Sequence, residues 1–368
     1  MKKIFILAGE LSGDRLAAWY VQSHLSADVK QIQAIGGDYL KDAGVHLYQR
    51  FETLNVTGIV EIIKHIPSLL KKMHQLRDYI LTGQFDHVIL VDFPGFNLRL
   101  LKLLAQKNPN LKITYLSPPQ LWCWGAWRLK PIKKYVSNII VLYPFEVEWY
   151  QQRGVKAVWL GNPVYDAIKP HMTTAQRNKK PLIALLPGSR RGEIVMLLPL
   201  FLKAARILKH KHPEVSFVLP LARSLNQALL DDVVVRHGLQ DIWHDVTLIP
   251  DNDDKYKVLK QCCGALTKPG TVTLELALLK IPTVVAYKTS WLTYGIARLL
   301  VNVSSMTLPN LILKKRVFKE IIQFKCSPAT IASQLDELYC GWLKADQANL
   351  DNVKMYEELE QMLNSKSL

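Results

Sequence analysis

Cysteine is scarce in this chain, and long apolar runs are absent. The five cysteines, Cys123, Cys262, Cys263, Cys326 and Cys340, show neither paired metal-ligand spacing nor the density of a disulfide scaffold, which argues against a zinc module or a stapled secreted domain and fits a reducing compartment. No stretch reaches the roughly 18 uninterrupted apolar residues of a bilayer-crossing helix. After Met1-Lys2-Lys3 only Ile4 to Gly9 is apolar before Glu10 and Asp14, too short for a signal peptide, so a cytoplasmic location is expected. There is no paired acidic motif for a metal, no zinc-finger spacing and no RNA-binding aromatic signature; neither metal nor cofactor nor nucleic acid is expected. Acid is also in short supply: 31 Asp and Glu stand against 47 Lys and Arg, a formal charge of +16. That excess calls for an anionic partner, whether nucleic acid, an anionic lipid surface or a phosphorylated substrate. The basic residues fall in short groups, such as Lys71-Lys72, Lys133-Lys134, Arg190-Arg191 and Lys314-Lys315-Arg316.

What is present is enough for two ordinary domains, with 368 residues and 49% hydrophobic content. Short β-branched runs alternate with helical stretches. Ile4–Leu7, Val88–Val91, Lys112–Leu116, Asn138–Leu142 and Ala157–Leu160 predict strands, with a helix over Gly13–Leu25 behind the first. Residues 161–181 carry Pro163, Pro170 and Pro181 with little periodicity and read as a connector. The pattern restarts with Leu182–Leu185, Val215–Leu219, Val246–Ile249, Ala265–Leu266 and Thr283–Ala286. Strands alternating with helices imply βαβ units and parallel sheets. The expectation is an α/β fold of two Rossmann-like domains facing across a cleft, residues 1–165 and 166–327, followed by a helical segment, 328–368.

In open parallel sheets, ligands gather at the loops after the strands. Leu185 to Ile194 carries Gly188-Ser189-Arg190 between a strand and a helix. Gly188 allows close backbone approach, the helix start offers unpaired N–H groups, and Arg190 can grip two phosphate oxygens. A turn with a Ser189 cap and solvated arginines is the plain alternative. A second such loop, Lys268 to Glu275, brings Gly270 and Thr271 to a helix N-terminus, and Glu275 projects one turn deeper, where a carboxylate can take sugar hydroxyls or simply be a surface charge. In the first half, Glu10, Ser12 and Asp14 follow the first strand, although Ser12 and Asp14 also suit helix capping. Asp92 ends an apolar strand, where burial raises a carboxyl's pKa and suits it to general base work; a cap for the helix from Asn97 is the alternative. Ser117 to Arg128 places three tryptophans beside a proline turn, for packing or for lining a sugar or acyl site.

Taken together, Ala8–Asp14, Gly58-Ile59-Val60-Glu61, Asp92–Asn97, Ser117–Trp127, Leu185–Arg190, Gly270–Glu275 and Ser305–Asn310 resemble the lipid-A-disaccharide synthase family, in the family's order and over most of the chain. The resemblance implies a GT-B fold and an inverting transfer from UDP-2,3-diacylglucosamine to 2,3-diacylglucosamine 1-phosphate. The product would be a β-1,6-linked disaccharide 1-phosphate, with UDP released. It implies that Asp92 is an essential aspartate, that Arg190 binds phosphate and that Asn310 is needed for activity. Glu10, Ser12 and Asp14 match the family's first polar loop, with Glu10 placed among the catalytic candidates, and Glu275 matches the carboxylate beside the donor. Gly95 departs from the pattern where a second acid is common. Leu11 and Lys268 stand where smaller or neutral residues are common.

The mechanism expected is metal-free. Arg190, the amides near Gly188 and Ser189, and the helix start at Gly270 and Thr271 would gather the charge of departing UDP, while Asp92 takes the proton of the acceptor's 6-hydroxyl. Both substrates are acylated, and the stretch from Val60 to Ile80 offers a stripe, Ile62, Ile63, Ile66, Leu69, Leu70 and Met73, with lysines among it. Such a stripe fits membrane contact or a core-facing helix. The expected setting is peripheral, on the inner membrane of a Gram-negative-type bacterium, with residues 328–368 packing on an N-terminal domain, their own or a homodimer partner's. Rival readings are another GT-B nucleotide-sugar enzyme, such as a peptidoglycan glucosaminyltransferase or UDP-sugar 2-epimerase, or a non-catalytic basic protein binding membrane or nucleic acid. Ser117–Trp127 and Leu308-Pro309-Asn310 argue against the first, and polar loops at so many strand ends against the second.

Overall fold

The computed structural model describes residues 2–25, 29–54, 59–172, 180–222, 224–252, 254–291, 294–295, 305–344 and 347–364. The chain divides into two compact units, Met1–Pro163 and Val164–Ser365. The division falls inside the proline-bearing segment, which also forms a short helix, Pro163–Ile168, before the next strand begins at Lys180.

The first unit is a seven-stranded sheet of β1 (Lys2–Ala8), β2 (Val29–Gly36), β3 (His46–Arg50), β4 (His87–Val91), β5 (Lys112–Leu116), β6 (Asn138–Val141) and β7 (Ala157–Trp159), in the order β3-β2-β1-β4-β5-β6-β7. Every pairing is parallel. The middle strands are apolar because both faces are covered: Phe5 to Ala8 and Val88 to Val91 are wholly buried. Strand order reverses between β1 and β4, whose last residues, Ala8 and Val91, lie side by side. The loops that leave them therefore share one crevice.

The second unit repeats the plan with β8 (Lys180–Leu186), β9 (Ser216–Leu221), β10 (Val246–Pro250), β11 (Cys262–Thr267), β12 (Thr283–Tyr287) and β13 (Lys319–Ile322), ordered β10-β9-β8-β11-β12-β13. Its reversal lies between β8 and β11, where Leu186 pairs with Thr267. The helix Arg191–Lys211 buries Ile194, Leu197, Leu198, Phe201, Leu202 and Leu208, the spacing of one helical face, and ends in Lys209, His210 and Lys211, whose charge suits a helix C-terminus.

Three strands were not anticipated: β2, β3 and β13. All lie outside the apolar centres of their sheets, and β3 and β13 form outer edges. The last helices pack on elements of the second unit. Pro328–Lys344 lies on Arg191–Lys211, β11 and β12, and Gln347–Asn364 on Thr271–Leu278 and Leu308–Leu313. The stripe Ile331, Leu335 and Tyr339 repeats every four residues and joins the core of the second unit. Fully burying each such side chain is worth about 1.5–3 kcal/mol.

Candidate active site

Asp92 follows β4 in a strained turn. It and Phe93 both hold left-handed backbone, at φ 44° and 45°, which costs a non-glycine residue about 1 kcal/mol or more. The turn is clamped. Asp92 donates its N–H to Leu116 O at 3.0 Å, and its carbonyl accepts from Asn97 Nδ2 at 2.8 Å and from the Tyr115 hydroxyl at 3.0 Å. The Phe93 ring lies so close over Gly9 that a Cβ there would meet it at 2.2 Å, so Gly9 is required for the β1 and β4 loops to interlock. Burial, and then the charge of Glu10, raises the Asp92 carboxyl above its ordinary pKa, against the opposing pull of the Phe93 N–H. A half-buried base with raised proton affinity and a fixed backbone is suited to taking a proton from a bound alcohol.

The other first-loop residues separate. Glu10 and Ser12 are exposed at the start of the helix Leu11–His24. Asp14 is completely buried, and its carboxylate accepts from the N–H groups of Gly37 at 2.7 Å, Tyr39 at 3.0 Å and Leu40 at 3.3 Å. The expected substrate contact at Asp14 is therefore corrected to a structural one: its oxygens hold the loop between β2 and the next helix.

The tryptophan run splits likewise. Trp124 and Trp127 are exposed, stacked edge to face, with the Arg128 guanidinium 4.1 Å from the Trp124 ring. Trp122 turns inward and donates to Glu146 at 2.9 Å. Glu146 also accepts from Leu142 N and Tyr143 N, yet burial pushes its carboxyl up to about 7 from an ordinary 4.5. Between those pH values the folded chain keeps a proton that the unfolded chain has lost. Stability therefore falls as pH rises through that window, by about 3 kcal/mol for such a shift. Glu146→Gln does not titrate. Denaturant unfolding at pH 4.5 and 7.5 is expected to show the wild type losing that much relative to the variant, and parallel behaviour of the two would refute the account.

In the second unit, the loop after β8 does not present the open amide cradle expected at Gly188 and Ser189. Glu193 reaches back so that its Oε2 accepts from Ser189 N at 3.0 Å and Arg190 N at 3.3 Å. Gly188, at φ 133°, is needed because a Cβ there would strike that carboxylate at 2.2 Å. The Arg190 side chain is exposed. After β11, Gly270 at φ 157° and the exposed Thr271 open the helix Thr271–Leu278, whose first N–H groups have no acceptor within the helix. Glu275 is nearly buried, 3.0 Å from the Lys255 ammonium, which also bonds Asp251 at 2.7 Å. Burial works against the charge of Lys255, but Glu275, Tyr256 and Asp251 more than offset it and raise its pKa.

Asn310 is buried, and every group of its amide is engaged. Oδ1 accepts from Val317 N and Phe318 N, both at 2.8 Å, and Nδ2 donates to Phe318 O and Glu320 Oε1, both at 3.0 Å. These bonds make it an organiser of residues 305–320. Glu320, which sequence reasoning missed, is the hub: Oε1 also accepts from the Ser305 hydroxyl, Thr307 N and Thr307 Oγ1. Asn310→Ala would orphan two buried amides and a carbonyl, at about 1–3 kcal/mol each. The expected result is a melting temperature lowered by many degrees alongside any loss of activity. An inactive variant that melts like wild type would restore a direct catalytic role.

On the helix Ile59–Thr82, Met73, Leu76 and Ile80 are buried, so the expected membrane contact at Met73 is corrected to a core contact. Leu70 is 40% exposed beside exposed Lys71 and Lys72, and Leu69 is partly buried. Gly58 and the side chains of Ile62, Ile63 and Ile66 lie outside the described residues. The described grouping with metal-ligand chemistry, His212, Asp336 and Cys340, lies past the far end of the helix that Arg190 opens, about 30 Å away. Its carboxylate is already engaged by Lys211 at 2.5 Å and His212 at 2.7 Å.

The family model described as Lipid-A-disaccharide synthetase matches residues 4–367. The chain belongs to the lipid-A-disaccharide synthase family. Proteins named lipid-A-disaccharide synthase are similar to it throughout. That of Geobacter sulfurreducens is 36% identical over 341 residues, covering 90% of this chain and 86% of that protein. That of Coxiella burnetii (strain RSA 331) is 34% identical over 345 residues, covering 92% and 89%. Among solved structures, the S. aureus MnaA-UDP co-structure matches with TM-score 0.61 at 16% identity over 100% of this chain and 93% of that one. Acinetobacter baumannii MurG matches at 0.54 and 14%, over 97% and 100%. These distant likenesses show the GT-B type of fold, with two parallel sheets. A lipid-A-disaccharide synthase shares that fold with the rival nucleotide-sugar enzymes, and the family match separates it from them.

Proposed function

We propose that this chain transfers a 2,3-diacylglucosaminyl unit from UDP to the 6-hydroxyl of 2,3-diacylglucosamine 1-phosphate with inversion, releasing UDP. The observation that carries this reading is the family match over residues 4–367. The geometry of each unit supports a division of labour. In the first unit, Asp92 is the base, with Glu10 holding its proton affinity up and Ser12 exposed beside the same crevice for the acceptor. In the second, Arg190 and the helix start at Gly270 and Thr271 take the diphosphate, and Glu275, paired with Lys255, faces the ribose. Gly188 and Ser189 serve that site by seating Glu193.

Among the described residues no helix is long and apolar enough to cross a membrane. Leu70, Lys71 and Lys72 support a peripheral, cytoplasmic-face reading in which exposed apolar and basic groups meet an anionic lipid surface. Incubation with the two acylated sugars, followed by UDP release and mass spectrometry of the lipid product, tests the reaction. A fold-competent protein that yields neither UDP nor disaccharide would overturn it.

A further inference from the structure

We propose that Lys268 is a diphosphate-binding residue of the second unit, an inference that rests on reading that unit as the UDP site. The two amides best placed to meet phosphate after β8, those of Ser189 and Arg190, are taken by the Glu193 carboxylate. A bare carboxylate there would repel an incoming diphosphate. Lys268 changes that balance: its Nζ lies 2.9 Å from Glu193 Oε1, with both side chains about four-fifths buried. The same ammonium reaches the mouth of the neighbouring helix, since a Cβ built on Gly270 would lie 3.5 Å from it. Lys268 is the first residue after β11, and its N–H bonds Leu186 O at 3.3 Å across the strand reversal. Its charge thus sits between the loop that bears Arg190 and the N-terminus of the helix Thr271–Leu278.

An ammonium has three N–H bonds. Glu193 takes one among the described residues, which leaves two for phosphate oxygens arriving at Gly270. The lysine thereby does two things with one charge: it cancels the only acid in the loop and adds a donor beside a helix N-terminus, where anions are already favoured.

The test is titration of the whole protein with UDP and, separately, with uridine, which lacks the phosphates. Lys268→Gln keeps a donor for Glu193, so the loop has reason to stay folded; Lys268→Met is the second variant. UDP affinity is expected to fall about 10- to 100-fold in both, the worth of a lost charged hydrogen bond, with uridine affinity unchanged. A folded variant of either kind that binds UDP like wild type, or that loses uridine and UDP equally, overturns the assignment. Wild-type protein that binds no UDP would instead overturn the donor-site reading on which it rests.

Discussion

Replacing Asp92 by asparagine is expected to slow turnover by about 10² to 10⁴, the usual worth of a positioned general base, with little change in melting temperature. The fold should tolerate the change for a specific reason. Left-handed backbone at φ 44° is one that Asn adopts as readily as Asp, and the clamps from Leu116, Asn97 and Tyr115 all fall on the backbone of residue 92. What is lost is only the proton acceptor. Steady-state kinetics should place the loss in kcat with donor KM nearly unchanged, since the base acts as the alcohol attacks. The pH profile gives a second reading. Asp92 must be ionised to work, so activity falls as pH drops through its raised pKa. Part of that elevation comes from Glu10, and Glu10→Gln should move the acid limb to lower pH. An Asp92→Asn enzyme with near-normal kcat, or an acid limb that Glu10→Gln leaves in place, would remove Asp92 from the role.

The parts legible in sequence are those whose cause is local. β1, β4, β8 and β11 are buried on both faces, so they read as apolar runs, and the residue that ends each run marks the crevice directly. β3 and β13, at the sheet edges, leave part of their length to solvent; their apolar signal is diluted, and they went unread. Site residues divide the same way. Asp92 is legible because a strand end and an acid coincide. Asp14 and Asn310 have the right identity in the right loop, but their partners arrive from elsewhere: Gly37, Tyr39 and Leu40 lie 23 to 26 residues away from Asp14. Only tertiary structure shows that those oxygens are already spent. Glu320 carries no local mark at all, since a glutamate on an edge strand is ordinarily a solvated charge. The reverse holds for Glu193: a glutamate three residues after the helix cap is a legible capping signal, and its consequence, a loop whose amides are occupied, is what the phosphate-cradle expectation overlooked.

Arg190→Ala is the cleanest remaining test, because the fold asks nothing of this side chain. It is exposed, and the helix cap is completed through the backbone N–H of residue 190, which alanine retains. With two amides of the loop committed to Glu193, the guanidinium becomes a larger share of what stabilises departing UDP. Its loss is expected to lower kcat by about 10² to 10³, the range for removing one donor aimed at developing charge. The loss should exceed any rise in donor KM, because negative charge grows on the leaving oxygen as the bond breaks and the arginine gains most at that point. Arg190→Lys should recover only part of the rate, since a point charge replaces a planar fork that fits two oxygens together. Combined with Lys268→Gln the losses should be less than multiplicative, as both cations would address one diphosphate and neighbours sharing a ligand are not independent. Full kcat in Arg190→Ala would mean that the charge of the leaving group is met elsewhere, with the helix start at Gly270 the first place to look.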